Sequence, residues 1–212
     1  MEFLNVLLPM LFRGLKVTLL VSVTGIFFGF ILGSISGYAL QGKNRIARVA
    51  ANVYVWIIRG TPLIVQALYV YYVVPVLLDM NLSSVAAGII VISLNSGAFI
   101  SEIVRGALQS VDFGQNEAGM SLGLTDRQIM LHLIMPPAFR IMLPSLFNQF
   151  IITVKDTAIL SVIVVNEITK EIQNYAALSF KTIEAYTTGA IFYLVIISAL
   201  IIIQKNIERK LV

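Results

Sequence analysis

The chain has 212 residues, of which 58% are hydrophobic and only 12% charged, and its mean hydropathy is +0.90. A soluble domain carries about 25% charged residues; half that share cannot cover a water-facing surface, so the composition predicts an integral membrane protein. Cysteine is absent, which excludes thiol catalysis and Cys-ligated metal centres; the single His132 is too few for a His-built metal site, and a net charge of +4 fits basic cytoplasmic loops better than nucleic-acid binding.

In chain order, residues 3–14 read as a short interfacial helix. Val17–Leu40 runs 24 residues without a charge. That is too long for a signal-peptide core, and it reads as a retained span. Along it Gly25, Gly29, Gly33 and Gly37 recur every fourth residue, a small-residue face for close helix packing. Lys43, Arg45 and Arg48 follow in a short loop. Arg59-Gly60-Thr61-Pro62 opens the second span, with Thr61 as the N-cap and Pro62 in the first turn. Thr61–Leu78 and Met80–Ser101 are charge-free over 18 and 22 residues. Ile141–Val154 is apolar, is interrupted by Lys155-Asp156, and resumes to Asn166. Ala185–Gln204 gives 20 more uncharged residues.

The chain therefore reads as one all-α transmembrane domain over 1–212 with five spans, about 15–40, 61–79, 82–106, 138–164 and 185–205. Basic residues concentrate in the first loop, in the third loop (Arg105, Arg127, Arg140) and in the tail (Lys205, Arg209, Lys210). These segments are placed in the cytoplasm, the C-terminus with them and the N-terminus outside, although Arg13 and Lys16 oppose that assignment. The outer connection between spans four and five carries Glu167 and Glu171, read either as solvated loop residues or as a contact for an external partner.

The long third loop, about 107–137, has its own local physics. Asn116–Leu122 forms a short helix that Gly123 stops in the left-handed conformation. Thr125 and Gln128 form a capping box for the next helix, and Asp126 sits favourably in its first turn. Pro136-Pro137 is expected to end that run. Ala118 and Gly119 make the short helix slim enough for close approach by a partner, while Met120, Leu122 and Leu124 offer apolar contacts. The alternative is a linker packed on its own bundle.

Charges at bilayer depth cost several kcal/mol and mark pathways by default. Glu102, Arg105, Lys155 and Asp156 lie in or beside the spans. Glu102 and Asp156 are either substrate ligands or partners of Lys155 and Arg105 in interhelical ion pairs, and Arg105 also has the option of snorkelling to the surface. Asn95-Ser96-Gly97 lies mid-span and suits a cavity wall or an interhelical hydrogen bond, as does Gln66 on span two. The substrate-binding set on this reading is Glu102, Asp156, Arg105, Asn95, Ser96, Gly97, Thr157 and Gln66. No residue group reads as a metal site, and no P-loop is present for ATP.

Glu117-Ala118-Gly119, Gly123 and Ile134-Met135-Pro136 together resemble the EAA loop of ABC-importer permease subunits. Gly119 stands where that pattern has Ala, and Met135 where it has Leu. The resemblance continues through Arg59-Gly60-Thr61-Pro62, Ala98–Gly106, Gly114–Ala118, Pro136–Arg140 with Pro144, and Lys155-Asp156-Thr157, which are similar to the polar amino-acid branch. Ala158 replaces the Ser usual in the last motif. The resemblance implies a type I importer permease in the inner membrane of a prokaryote. It would pair with a second permease subunit, identical or paralogous, with two ATPase subunits that use ATP and magnesium, and with an extracytoplasmic binding protein. Its ligand would be a polar amino acid, and two acids at bilayer depth lean toward a basic one. Glu117, Ala118, Gly119, Ser121, Leu122 and Gly123 would couple it to the ATPase, and the chain itself would bind no cofactor. An ion-gradient transporter is the competing reading, since Glu102 and Asp156 suit a proton relay, but five spans do not hold an inverted repeat.

Overall fold

The computed structural model describes residues 2–211, with side chains described over 3–209. Lys210, one of the tail residues used above for orientation, lies outside the described side chains. The described residues form helices joined by short turns: α1 (Glu2–Gln41), α2 (Arg45–Gly60), α3 (Leu63–Leu78), α4 (Ser84–Gln109), α5 (Phe113–Ser121), α6 (Asp126–Ile163), α7 (Ile168–Ser179) and α8 (Thr182–Leu211). Four are long and apolar enough to cross a membrane, or five when α2 and α3, bent by 104° at their junction, count as one span.

The N-terminal segment differs from expectation. Residues 3–14 continue unbroken into the first span as a single 40-residue helix. Leu7 and Leu11 are fully buried in a cluster with Ile168, Ile172 and Tyr175 of α7, and that packing carries the helix through.

α4 is the most buried of the long helices and α1 lies along it. Four glycines of α1, Gly25, Gly29, Gly33 and Gly37, face it in register. A Cβ on Gly33 would stand 2.7 Å from the Gly97 carbonyl oxygen and 2.7 Å from Ile100 Cβ; one on Gly37 would stand 2.7 Å from the Ser101 carbonyl oxygen. Gly25 and Gly29 meet Ile92 and Ser96 as closely. In a bilayer no hydrophobic effect drives helices together, so close backbone approach supplies the attraction. On the α4 side of the seam Ser96 donates to the Ile92 carbonyl and Ser101 to that of Ala98 at 2.7 Å, whereas the buried Ser22 hydroxyl of α1 has no partner among the described residues.

The second span begins much earlier than its charge-free run. Asn44 caps α2 by accepting from the amides of Ile46 (3.0 Å) and Ala47 (3.2 Å), which places Arg45 and Arg48 on the helix instead of in a loop. Thr61 is not an N-cap. It lies extended (φ −121°, ψ 143°) after the end of α2, and Pro62 is the cap residue of α3. Pro62 is itself extended (φ −64°, ψ 138°), which moves the helix start one residue on, and the Thr61 hydroxyl turns back to donate to the Ile57 carbonyl at 2.8 Å. The break frees carbonyl groups at the end of α2, and the Gln66 amide collects them, donating to Ile58 O (2.7 Å), Thr61 O (3.1 Å) and Thr61 Oγ1 (2.9 Å).

Pro136-Pro137 does not end the run that begins at Asp126, contrary to expectation. The chain forms a π-helical stretch over Ile129–Ile134, closed by the Met135 amide donating to the Met130 carbonyl, and then continues as α-helix to Asp156. The wider turn moves the proline rings off the carbonyls they would strike in a regular helix. The same device precedes Pro75, where Tyr69–Val73 is π-helical. α6 then tightens to a 3₁₀ helix over Thr157–Ile163.

Candidate functional site

Glu102 and Arg105 project from adjacent turns of α4, three residues apart. The Arg105 guanidinium holds Glu102 Oε2 at 2.6 Å through Nη2 and at 3.1 Å through Nε. Arg59, at the end of α2, approaches Oε1 of the same carboxylate to 3.9 Å and lies over the Phe99 ring at 5.4 Å. The acid of span three is thus partnered within its own helix and from α2. The interhelical pairing with Lys155 does not form. Sequence reasoning took Arg59 only as part of a helix start; its signal was a cation directly before an apolar run.

Asp156 is handled differently. It ends the α-helical part of α6, where the coil tightens, and is half-buried. Among the described residues its carboxylate makes no hydrogen bond and no ion pair. Lys155 beside it points to the exposed side, as the 100° turn between consecutive helical residues requires.

The remaining residues expected at the substrate separate into two groups. Asn95 is buried on α4 at 8% exposure, and its carboxamide has no hydrogen-bond partner among the described residues. Gln66 lines a cavity of about 400 Å³ at the α2–α3 elbow, walled by Ile58, Thr61, Tyr69, Val91 and Leu94. Its Oε1 is buried there without a partner while its amide nitrogen caps α2. Ser96, Gly97 and Thr157 do not face an open site. Ser96 is 1% exposed in the α1 seam, Gly97 backs onto Tyr54 and Gly29, and Thr157 is fully buried with its hydroxyl on the Val154 carbonyl at 2.8 Å. Their polar groups are spent on helix packing. Glu102 and Asp156 do not line the elbow cavity.

The long loop between α4 and α6 forms a short helix and the start of the next around a glycine turn. Asp112 caps α5 by accepting from the Gly114 amide at 2.8 Å. Gly123 takes φ +74°, and the Leu124 amide donates back to the Gly119 carbonyl at 3.1 Å. The Thr125–Gln128 capping box forms in full. Glu117, Ala118, Met120, Ser121 and Leu122 are exposed, Met120 at 53% and Leu122 at 75%. Gly119 is not part of that open face. It is buried, and a Cβ there would stand 2.6 Å from Ile129 and 2.9 Å from Leu133, so its smallness lets α5 sit on α6. Lys43, in the turn after α1, holds Asp126 at 2.8 Å and ties this loop to the first one.

In the connection between α6 and α8, Glu171 is partly exposed but Glu167 is not the solvated side chain expected. It has no exposed surface and caps α7. A carboxylate that accepts backbone amides at a helix start satisfies donors that would otherwise be orphaned; an acid three residues from the end of an apolar span gave no sign of that burial.

Residues 25–212 match the family described as binding-protein-dependent transport system inner membrane component. The glutamine transport system permease protein of Escherichia coli (strain K12) is 39% identical over 205 residues, covering 96% of this chain and 94% of that protein. The L-cystine transport system permease protein of Bacillus subtilis (strain 168) is 37% identical, covering 96% and 87%. A solved amino acid ABC transporter, determined with histidines, superposes with a TM-score of 0.91 at 32% identity over 99% of both chains.

Proposed function

Because the chain belongs to the inner membrane components of binding-protein-dependent transport systems, we propose that it is the permease subunit of an ABC importer for polar amino acids, with a basic amino acid as its substrate. Two such subunits, identical or paralogous, enclose the path. Two ATPase subunits consume ATP and magnesium on the cytoplasmic side, and a binding protein delivers the amino acid from outside. The N-terminus is then outside and the C-terminus in the cytoplasm, in agreement with the basic first and third loops.

The observation that carries this reading is the exposed helix α5. A short helix with Met120 and Leu122 uncovered, set on a rigid glycine turn and a complete capping box, has no role in its own bundle beyond the Gly119 contact. An exposed apolar patch rimmed by polar residues fits a docking surface. In this reading α5 enters the ATPase subunit and transmits its movement to α6. The cationic group of the amino acid meets Asp156, the one of the two acids left without a partner. Arg59 and Arg105, balanced on Glu102, present positive charge to a substrate carboxylate.

One uptake assay on the assembled transporter tests both parts. Gly123→Pro and Glu117→Lys are expected to abolish coupling of ATP hydrolysis to uptake while the protein still reaches the membrane. Asp156→Asn is expected to raise the half-saturating substrate concentration at least about tenfold, the loss of one charged hydrogen-bond pair. Full uptake in both loop variants overturns the docking role; unchanged affinity and selectivity in Asp156→Asn overturns the acidic subsite.

A further inference from the structure

Among the described residues Glu167 is the only charged side chain with no exposed surface. It lies just beyond α6, and every hydrogen bond it accepts comes from α7 or α8. The Lys170 amide donates to Oε1 at 2.7 Å, and the Thr169 amide and Tyr193 hydroxyl donate to Oε2 at 2.9 and 3.0 Å. The Thr169 and Tyr193 hydroxyls also meet at 3.0 Å. On the opposite side α1 comes to backbone contact. A Cβ on Gly14 would lie 2.8 Å from the Ile168 Cα, and the Ile168 amide donates to Thr18 Oγ1 at 3.4 Å. One carboxyl group therefore sits where three helices converge.

Among the described residues no cation balances it. Arg13 and Lys16 flank Gly14 on α1 but are exposed, and neither forms an ion pair with Glu167. Lys170 contributes its backbone amide, and Glu171 on the same helix carries the same sign of charge. α8 presents Tyr193, with Glu184 exposed near its start. The 3₁₀ end of α6, Thr157–Ile163, holds no charged residue. A buried charge without a counter-charge is expensive even when hydrogen-bonded.

We propose that Glu167 is a positioning residue, a proton-labile clasp whose protonated form docks α7 onto α1 and α8 and whose ionised form loosens it. Only the placement of α7 on the outer face, where a delivered binding protein would meet it, rests on the proposed importer function. Burial pushes the carboxyl group up from the ordinary value of 4.5 to about 7, against hydrogen bonds that favour the charged form. With the folded value above the unfolded one, the stabilisation is complete below about pH 4.5 and is lost as pH rises through about 7. The opening constant of α7 should therefore climb about tenfold between pH 6 and pH 8 and level off above that.

The test is hydrogen exchange of the α7 amides in the transporter in lipid nanodiscs, with protection factors corrected for the pH dependence of the chemical step. The wild type is expected to lose protection about tenfold over that interval. In Glu167→Gln the profile should be flat. Tyr193→Phe removes a bond that favours the carboxylate, so its midpoint should move to higher pH, a shift that a purely structural contact does not produce. Loss of protection in the wild type should coincide with a rise in the half-saturating concentration of loaded binding protein, with the maximal uptake rate unchanged. A pH-independent wild-type profile, a profile that survives Glu167→Gln, or an unmoved midpoint in Tyr193→Phe overturns the clasp. Absence of binding-protein-stimulated uptake at every pH counts against the importer reading instead and leaves the exchange result to decide the clasp.

Discussion

Gly33 in the α1–α4 seam would place a Cβ 2.7 Å from a backbone oxygen of its neighbour, whereas Gly60 at the α2–α3 elbow has nothing within 4 Å. The seam is continuous over four glycines. The elbow is interrupted by an extended Thr61, two prolines and a π-helical turn, and its large side chains are uncovered, Trp56 at 76% and Val76 at 79%. Close packing on both sides leaves α1 and α4 no freedom to slide. At the elbow the backbone is held by the Gln66 amide and by the Thr61 hydroxyl, which donates to the Ile57 carbonyl at 2.8 Å, and the neighbouring cavity leaves room for movement. The difference separates a strut from a hinge. Asn95, Glu102 and Arg105 stand on the strut; Arg59 and Gln66 stand on the hinge. A change in the bend would therefore move Arg59 relative to Glu102 while leaving the Glu102–Arg105 pair intact.

Three substitutions probe that contrast. Gly33→Leu carries the largest expected effect, a loss of at least about 3 kcal/mol because no rotamer escapes the Gly97 carbonyl and Ile100; unfolding in detergent–denaturant mixtures measures it, and near-wild-type stability would remove the strut from the account. Gln66→Leu is intermediate. It leaves the Ile58 and Thr61 carbonyls without their side-chain donor, at a cost of about 1–2 kcal/mol, and should broaden the distance distribution between spin labels at Val53 and Leu77. The absence of cysteine makes such labelling direct. An unbroadened distribution would mean that the elbow is held by something other than Gln66. Gly60→Ala is the smallest, neutral or stabilising by about 0.5–1 kcal/mol, since the site is helical and open. Destabilisation on the scale of Gly33→Leu would erase the distinction between the two regions.

The local signals of the sequence translated well where the physics is local. The capping box at Thr125, the left-handed Gly123 and the four-residue glycine period depend on neighbours within one or two turns, and the coordinates reproduce each. The failures share one cause. Read locally, Pro136-Pro137 stops a helix and Thr61-Pro62 starts one, yet the first pair is absorbed by a π turn and the second marks a bend whose loose carbonyls a side chain five residues on repairs. Ser96 and Thr157 keep the helical positions the sequence assigns them, and their hydroxyls donate to carbonyls three or four residues back.

The sequence by itself determined the solvent, the class of element and the helix–glycine–helix form of the long third loop. A chain with this little charge and uninterrupted apolar runs must satisfy its backbone within helices in a bilayer. Tertiary structure alone decided which charges meet between helices and which are buried. The Glu102–Arg105 pair follows from helical spacing, but Arg59 approaches Glu102 from a helix whose bend no periodicity encodes; Asp156 makes no ion pair among the described residues; Glu167 loses all exposure because Gly14 and Tyr193, about 150 and 26 positions away, close over it. Electrostatic partnership depends on distance in space and on the local dielectric, and neither is a property of position along the chain.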